Sequence, residues 1–341
     1  MTDVISNAIK SIARKESLSV EILEGAFSEI LSGEVPPERI GAFLMGLAVR
    51  GETSTELLAG ARIMRRTAKR IKLDGVVLDT CGTGGLGWAS LNTSTASAIV
   101  TAACGVTVAK HGNRSVPPKT GSADVLEALG VGLDISEEQF LDAIRTAGIG
   151  FLFARSHHSA MRHVAPVRAS LGIRTVFNLL GPLSNPAGAS HQILGVYDSH
   201  WLRPMAETLQ ALEIERAWVV HGKMNDGLAI DELSIAGETL VVDVTENGLD
   251  EIMIHPSDAG LPVSPLSTLR GGTPDQNAKA ITDLFSDKAS PFRDAVVLNA
   301  AAGLHLTGKA TTLCDGAEMA SDAIASGAAR ETLNKLKAAT S

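Results

Sequence analysis

Two short β-branched runs, each delivering a loop rich in backbone donors, constrain this chain more than any other feature. Val76, Val77 and Leu78 lead into Asp79-Thr80-Cys81, after which glycines stand at Gly82, Gly84, Gly85 and Gly87. Without a Cβ, glycine lets backbone N–H groups turn inward and approach an anion closely. Asn92-Thr93-Ser94-Thr95 then precedes an apolar, alanine-rich run, the pattern of a capped helix start. A helix N-terminus carries unsatisfied donors and partial positive charge, which suits phosphate. A second run, 106–108, leads into Lys110-His111-Gly112-Asn113-Arg114. Two anion-friendly loops after two neighbouring strands predict a site for a phosphorylated small molecule.

The letters from Gly82 to Gly87 also fit the dinucleotide fingerprint G-x-G-x-x-G. In that motif the helix opens inside the glycines and an acidic residue follows about 20 residues on. Here the helix signal starts only near Asn92, and the second strand ends in Lys110. A nucleotide P-loop needs Gly-Lys-Ser/Thr after the glycines, which is absent. A loop that only joins strand to helix is the remaining alternative, and NTST and KHGNR beside it weigh against that.

With 341 residues, 45% hydrophobic and 20% charged, the chain is globular and ample for a large core. A net charge of −8 argues against a general nucleic-acid binder, whose basic face would show. Cys81, Cys104 and Cys314 stand apart without metal spacing, the usage of a reducing cytosol. The start, MTDVISNAIKSIARKE, has no apolar core of signal-peptide length, and no stretch approaches a membrane span. A cytoplasmic location is expected, with no membrane and no nucleic-acid partner.

Residues 1–72 read as helices only. The segment 18–31 carries an apolar stripe and stops at Gly33; Pro36-Pro37 opens a second helix that Gly51 ends. Thr53 with Glu56 makes a capping-box signature for a third, and the opening segment supplies another. Their apolar faces pack within a small α domain or form a dimer surface. From Leu73 strand-like runs alternate with helices: 76–78, 106–108, 193–196, 217–220, 239–242 and a weaker one at 294–298. Helical runs fall at 124–129, 137–147 and 202–212, and two tail helices break at Gly327. The expected fold is α/β: a large domain with a mainly parallel central sheet flanked by helices, plus a small all-α N-terminal domain. Ligands in such folds sit beyond the carboxyl ends of the strands, where both donor-rich loops fall.

Residues 151–186 gather Arg155, Arg162, Arg168 and Arg174 with His157, His158 and His163. On a helix, Met161, Val164, Ala165, Arg168 and Leu171 share one side, so Arg168 leaves an apolar face toward a site. Such density in an acidic protein points to an aromatic or anionic acid; zinc would want a tighter set completed by thiolate or carboxylate. Later come Asn225-Asp226-Gly227 and then Asp231-Glu232, which follow Ile230 just after a strand. Adjacent carboxylates with oxygen-only chemistry suit Mg²⁺ shared with substrate phosphates, and a plain helix or turn start is the alternative.

Taken together, GTGG, NTSTAS, KHGNR, GSADVLEALG, APVRASLGIRTVFNLLGPLSNP, IDELS and VVLNAAAGL occur in the order that resembles anthranilate phosphoribosyltransferase, over nearly the whole chain. The resemblance implies a small α domain at 1–72, joined in space by helices from about 155–182, and a phosphoribosyl-binding α/β domain at 73–341. It implies a homodimer formed through the α domain, a role in tryptophan biosynthesis, and two Mg²⁺ ions per active site. Phosphoribosyl pyrophosphate (PRPP) would meet Gly82, Thr83, Gly85, Asn92, Ser94, Thr95, Lys110 and Ser122. Ser94, Asp231 and Glu232 would hold metal. Anthranilate would meet His111, Asn113, His158, Arg168, Gly181 and Pro182, with Lys110 and Arg168 supporting the transition state.

Three departures stand out. The family's usual acidic residue after GTGG is Leu86 here, followed by Trp88, and Mg²⁺ dependence is expected to change. Pro117-Pro118 stiffens the loop before Lys119-Thr120 and removes two donors. His157 stands where an aromatic residue is common. A pyrimidine nucleoside phosphorylase, a relative with another acceptor, and a non-catalytic nucleic-acid binder are the competing readings.

Overall fold

The computed structural model describes residues 4–115, 119–223 and 229–341. The amphipathic N-terminal runs form α1 (Val4–Ala13), α2 (Val20–Ser32), α3 (Pro37–Arg50) and α4 (Ser54–Thr67). Their ends follow the sequence signals. The Ser19 hydroxyl accepts the Ile22 N–H at 3.4 Å, and Gly33 leaves α2 at φ +85°. At α4 the Thr53 N–H donates to Glu56 Oε2 at 2.7 Å, while Glu56 Oε1 pairs with Arg50 at 2.5 Å. Glu56 is buried, so one carboxylate both caps α4 and neutralises the last turn of α3. Glu56→Ala is expected to cost about 2–3 kcal/mol, since a cap is lost and Arg50 is left unpaired. A urea melt checks this; a midpoint equal to wild type would contradict it.

The remainder runs β1 (Val77–Gly82), α5 (Thr93–Ala103), β2 (Thr107–Gly112), α6 (Ser122–Ala128), α7 (Glu137–Ala147), β3 (Ile149–Phe153), α8 (Ala154–His157), α9 (Ala165–Leu171) and α10 (Val176–Leu180). Then come β4 (His191–Gly195), α11 (Leu202–Ala211), β5 (Arg216–Lys223), β6 (Ala229–Ile230), β7 (Thr239–Thr245) and β8 (Gly248–Ile254). Four helices close the chain: α12 (Pro274–Leu284), α13 (Pro291–Leu306), α14 (Leu313–Ala325) and α15 (Ala328–Ala339). The sheet order is β3-β2-β1-β4-β5-β7-β8, with β6 beside β5. From β3 to β5 every pairing is parallel; β7 and β8 add an antiparallel edge.

One expected strand is corrected. Residues 294–298 lie inside α13, where Ser290 caps the first turn and Pro291 occupies N1. This helix is buried almost all round, so its β-branched residues report burial rather than strand. The sheet also contains β3 and β8, which the sequence reading passed over. Asn225-Asp226-Gly227 and Pro117-Pro118 lie outside the described residues.

Helices α9 and α10 pack on α3 and α4, away from the strands that flank them in sequence. Phe27 stacks edge-on against Phe43 at 5.5 Å and Phe177 at 6.0 Å, joining α2, α3 and α10. The same apolar cluster continues through α11 to Leu194, Val219 and Val242 on one face of the sheet. A second cluster, built on α5, α13 and α14, includes Leu78, Val108 and Trp218 of β1, β2 and β5. The segment 151–186 therefore runs from the sheet to the helical layer, across the carboxyl ends of β1 and β2.

Candidate functional site

The site grows from the ends of β1 and β4, where Gly82 stands opposite Gly195. Asp231 lies directly over both. A Cβ on Gly82 would sit 2.9 Å from Asp231 Cγ, and one on Gly195 would sit 3.0 Å from Asp231 Cα. Glycine is required by this approach. Asp231 Oδ2 accepts the Gly84 N–H at 2.8 Å, and Glu232 Oε1 accepts the Ser94 N–H at 2.9 Å. The N-terminus of α5, which the sequence offers to phosphate, thus also faces a carboxylate. Asn299 on α13 fixes the pair from behind: its side chain accepts the Leu233 N–H and donates to the Leu233 carbonyl, both at 3.0 Å.

Asn92 sits at the N-cap of α5 without a side-chain cap, which corrects the reading of NTST. Its amide instead donates to the Thr120 carbonyl at 3.0 Å and accepts from Asn277 at 2.8 Å, tying the helix entrance to the next loop and to α12. The Thr83 hydroxyl accepts the Tyr197 N–H at 3.1 Å. Gly85 holds φ +90°, a left-handed conformation open to glycine. The Thr95 hydroxyl is buried with no hydrogen-bond partner. A Cβ on Gly112 would collide with the Ser122 hydroxyl, so the start of α6 rests against the end of β2.

Lys110 is buried at the end of β2, and its ammonium reaches the Thr80 carbonyl, the Thr80 hydroxyl at 3.4 Å and the Ser94 hydroxyl at 3.3 Å. Burial pulls its pKa below the usual lysine range, against the attraction of Asp79, Cys81, Glu232 and Asp231. Asp79 was not singled out as a site residue, yet it is fully buried and braces the same strands. It accepts the His111 N–H at 3.1 Å and the Gln192 amide at 3.2 Å, while Gln192 also donates to the Pro182 carbonyl at 2.7 Å. Gln192 thereby links the Gly181-Pro182 turn to β1.

His111 and His158 face each other with ring centroids 5.2 Å apart, and both are buried. Burial, with His158 and His157 nearby, pulls His111 down to about 3. Burial and then His157 pull His158 down to about 4. Both rings are therefore neutral at pH 7. His157 Nδ1 lies 2.8 Å from the Lys69 carbonyl, joining α8 to the end of the N-terminal helices. Arg168 lies over the Phe177 ring, 5.9 Å from its centroid, and has no carboxylate partner among the described residues. A partly buried guanidinium in that state favours an anion from outside the fold. Asn113 is exposed at the mouth, with its side-chain oxygen on the Arg114 N–H at 2.8 Å.

The depressed histidines carry a sign that can be checked. Their stabilising effect is complete above the unfolded value of about 6.5 and is lost as pH falls toward the folded values. The stability gap between wild type and His111→Gln/His158→Gln should narrow on acidification from pH 7 to 5, by up to about 1.4 kcal/mol per pH unit for each histidine. Comparing the pair cancels the opposite contribution of Glu232. A gap independent of pH would contradict the neutral rings.

The carboxylate pair fits a divalent cation. Burial, then Asp231, pushes Glu232 up to about 8, and burial raises Asp231 despite the Gly84 N–H and Arg174. Glu232 Oε2 is buried with no hydrogen-bond partner. Among the described residues no group of three or more His, Cys, Asp or Glu side chains gathers as a metal cage. Two carboxylates completed by water and substrate oxygens are the donor set that Mg²⁺ accepts. Leu86, at the position of the missing acid, is buried with Trp88 in the core, and the Trp88 indole donates to the Ala229 carbonyl at 3.1 Å. That position therefore packs inward.

Similarity to known proteins agrees with this geometry. Residues 6–68 match the helical bundle domain of a glycosyl transferase family, and residues 74–330 match its a/b domain. Anthranilate phosphoribosyltransferase from Hyphomonas neptunium is 61% identical over 97% of this chain and 96% of its own. The crystal structure of the Thermus thermophilus enzyme superposes with a TM-score of 0.91 at 45% identity, covering 98% of this chain and 99% of that one. The Saccharomyces cerevisiae enzyme in complex with PRPP and Mg gives 0.90 at 26% identity, covering 100% and 98%. With both domains matched and the relatives spanned nearly end to end, the chain belongs to the anthranilate phosphoribosyltransferase family.

Proposed function

We propose that the protein transfers the phosphoribosyl group of PRPP to the amine of anthranilate, giving N-(5-phosphoribosyl)anthranilate and pyrophosphate for tryptophan biosynthesis. The observation that carries this is the convergence of Asp231 and Glu232 on the Gly82–Gly84 turn and the start of α5, with Lys110 beside Ser94. Next to it, the His111/His158 pair and Arg168 supply neutral rings and a free guanidinium for an aromatic carboxylate. The amine nitrogen bonds to ribose C1 as the bond from C1 to the pyrophosphate oxygen breaks, and the displaced amine proton goes to solvent. No protein nucleophile is needed.

Gly82, Thr83, Gly85, Asn92, Ser94, Thr95, Lys110 and Ser122 are assigned to PRPP. His111, Asn113, His158, Arg168, Gly181 and Pro182 are assigned to anthranilate. Ser94, Asp231 and Glu232 would hold two Mg²⁺ ions, which when bound neutralise charge on the leaving pyrophosphate. Lys110 and the N–H groups of the glycine turn and α5 add fixed positive ends there. Arg168 orients the acceptor through its carboxylate, so that two reactants are held in line. With the histidines neutral, Arg168 is the one charged group assigned to the anthranilate carboxylate.

A homodimer through the N-terminal helices is part of this reading, supported by exposed Ile22, Met45 and Val49 on α2 and α3. So is a cytoplasmic location; among the described residues no helix is long and apolar enough to cross a membrane. The test is an acceptor screen with PRPP and Mg²⁺, reading phosphoribosyl products by mass. Anthranilate is expected to be consumed. Conversion of another amine with none of anthranilate, or phosphate-dependent cleavage of uridine or thymidine, would overturn the assignment.

A further inference from the structure

Arg174 lies outside the substrate and metal assignments above, yet it occupies the junction between the two subsites. It leaves the end of α9 just after Gly172 and reaches back to the glycine turn. Its Nη1 donates to the Gly84 carbonyl at 3.3 Å, and its guanidinium stacks on Tyr197 with Cζ 3.7 Å from the ring centroid. Gly85 makes the room: a Cβ there would strike the guanidinium. Tyr197 is itself anchored twice, by its N–H to the Thr83 hydroxyl at 3.1 Å and by its own hydroxyl, which accepts the Trp201 indole N–H at 2.8 Å. Gly84 is thus gripped on both sides. Arg174 holds its carbonyl, and its N–H holds Asp231 Oδ2 at 2.8 Å.

We propose that Arg174 is a positioning residue: stacked on Tyr197, it clamps the Gly84–Gly85 turn and so fixes Asp231 for the divalent cation. The inference rests on the metal role given to Asp231 above. The Tyr197 ring sets the plane of the guanidinium, and the Gly84 carbonyl sets its direction, so a lysine cannot reproduce both. Glycine at Gly84 and Gly85, at φ +61° and +90°, resists deformation poorly without such a clamp. The arrangement also separates Arg174 from Arg168, whose guanidinium lies over Phe177.

The test uses the full-length protein without metal and with Mn²⁺ alone as probe. In Arg174→Ala, amide hydrogen exchange of peptides covering residues 83–87 should quicken by about tenfold, and Mn²⁺ affinity by electron paramagnetic resonance should fall by about tenfold. Under turnover the Mg²⁺ half-saturation should rise in parallel, while the KM for anthranilate stays within about threefold. Arg174→Lys should recover little of either effect, and Tyr197→Leu should reproduce part of both in a protein that still folds. Unchanged exchange at 83–87 with unchanged Mn²⁺ affinity would overturn the proposal. So would a rise confined to the KM for anthranilate, which would make Arg174 a substrate contact. Failure of the underlying metal reading shows separately: Asp231→Asn would then bind Mn²⁺ as tightly as wild type.

Discussion

Replacing both carboxylates, Asp231→Asn with Glu232→Gln, is expected to lower anthranilate-dependent pyrophosphate release by about 1,000-fold at saturating Mg²⁺. Burial and mutual repulsion disfavour charge on both carboxylates, an effect offset in part by the Gly84 and Ser94 N–H groups and, when bound, by the cation the pair would hold. The amides keep the geometry of the loop, since Asn299 holds Leu233 and the glycines at Gly82 and Gly195 leave the same space. Metal-free stability should therefore stay equal to wild type or rise, because burial disfavours the carboxylates and the amides carry no charge to desolvate. Loss of activity with preserved melting separates a metal role from a structural one. A loss of less than about tenfold would contradict it.

The second large effect is expected at Lys110. Lys110→Met matches the length of the side chain but removes the ammonium beside Ser94. Turnover should fall by about 100-fold, with little change in the KM for anthranilate, as expected for a group that supports departing pyrophosphate. Thermal stability should hold or improve, since burial disfavours the ammonium more than the Thr80 carbonyl, two hydroxyls and the nearby carboxylates favour it. Stopped-flow or steady-state kinetics with PRPP check the first part, and calorimetry the second. A variant that keeps its turnover but melts earlier would make Lys110 a structural strut.

Much of this architecture was legible in local sequence. The runs at 76–78 and 106–108 end in loops that sit side by side because parallel strands align their carboxyl ends. The Thr53/Glu56 capping signal placed α4 closely, and the helical run at 137–147 placed α7, where the structure adds a Ser136/Gln139 box. What escaped was non-local. The 294–298 run has the β-branched residues of a strand, but a helix buried on all sides needs no polar face to mark its period. β8 is an edge strand with four successive exposed residues, so no apolar alternation announced it.

The site shows the same division. The Asp231-Glu232 pair was readable because two adjacent acids between apolar neighbours are poor surface residues. Asn299 carried a comparable signal, a lone amide inside an alanine-rich apolar run, and its partner Leu233 lies 66 residues earlier. Asp79 stood in plain sight beside the glycines, but its role depends on His111 and Gln192 arriving from two other strands. Asn92 was read as a cap from its position, whereas Thr120 and Asn277 claim its side chain. Arg174 needed Tyr197 and Gly84 to be brought together across the fold. Leu86, where the family's acid usually stands, is buried with Trp88 in the core, a packing role that the glycine-rich loop around it did not announce.

The most direct measurement is pyrophosphate release from PRPP with and without anthranilate across a Mg²⁺ titration, in wild type and in Asp231→Asn/Glu232→Gln. The predicted result is release that requires both anthranilate and Mg²⁺, yields one phosphoribosylanthranilate per pyrophosphate, and disappears in the double variant. Release that is independent of anthranilate, or that persists in the double variant at wild-type rate, would contradict the central claim.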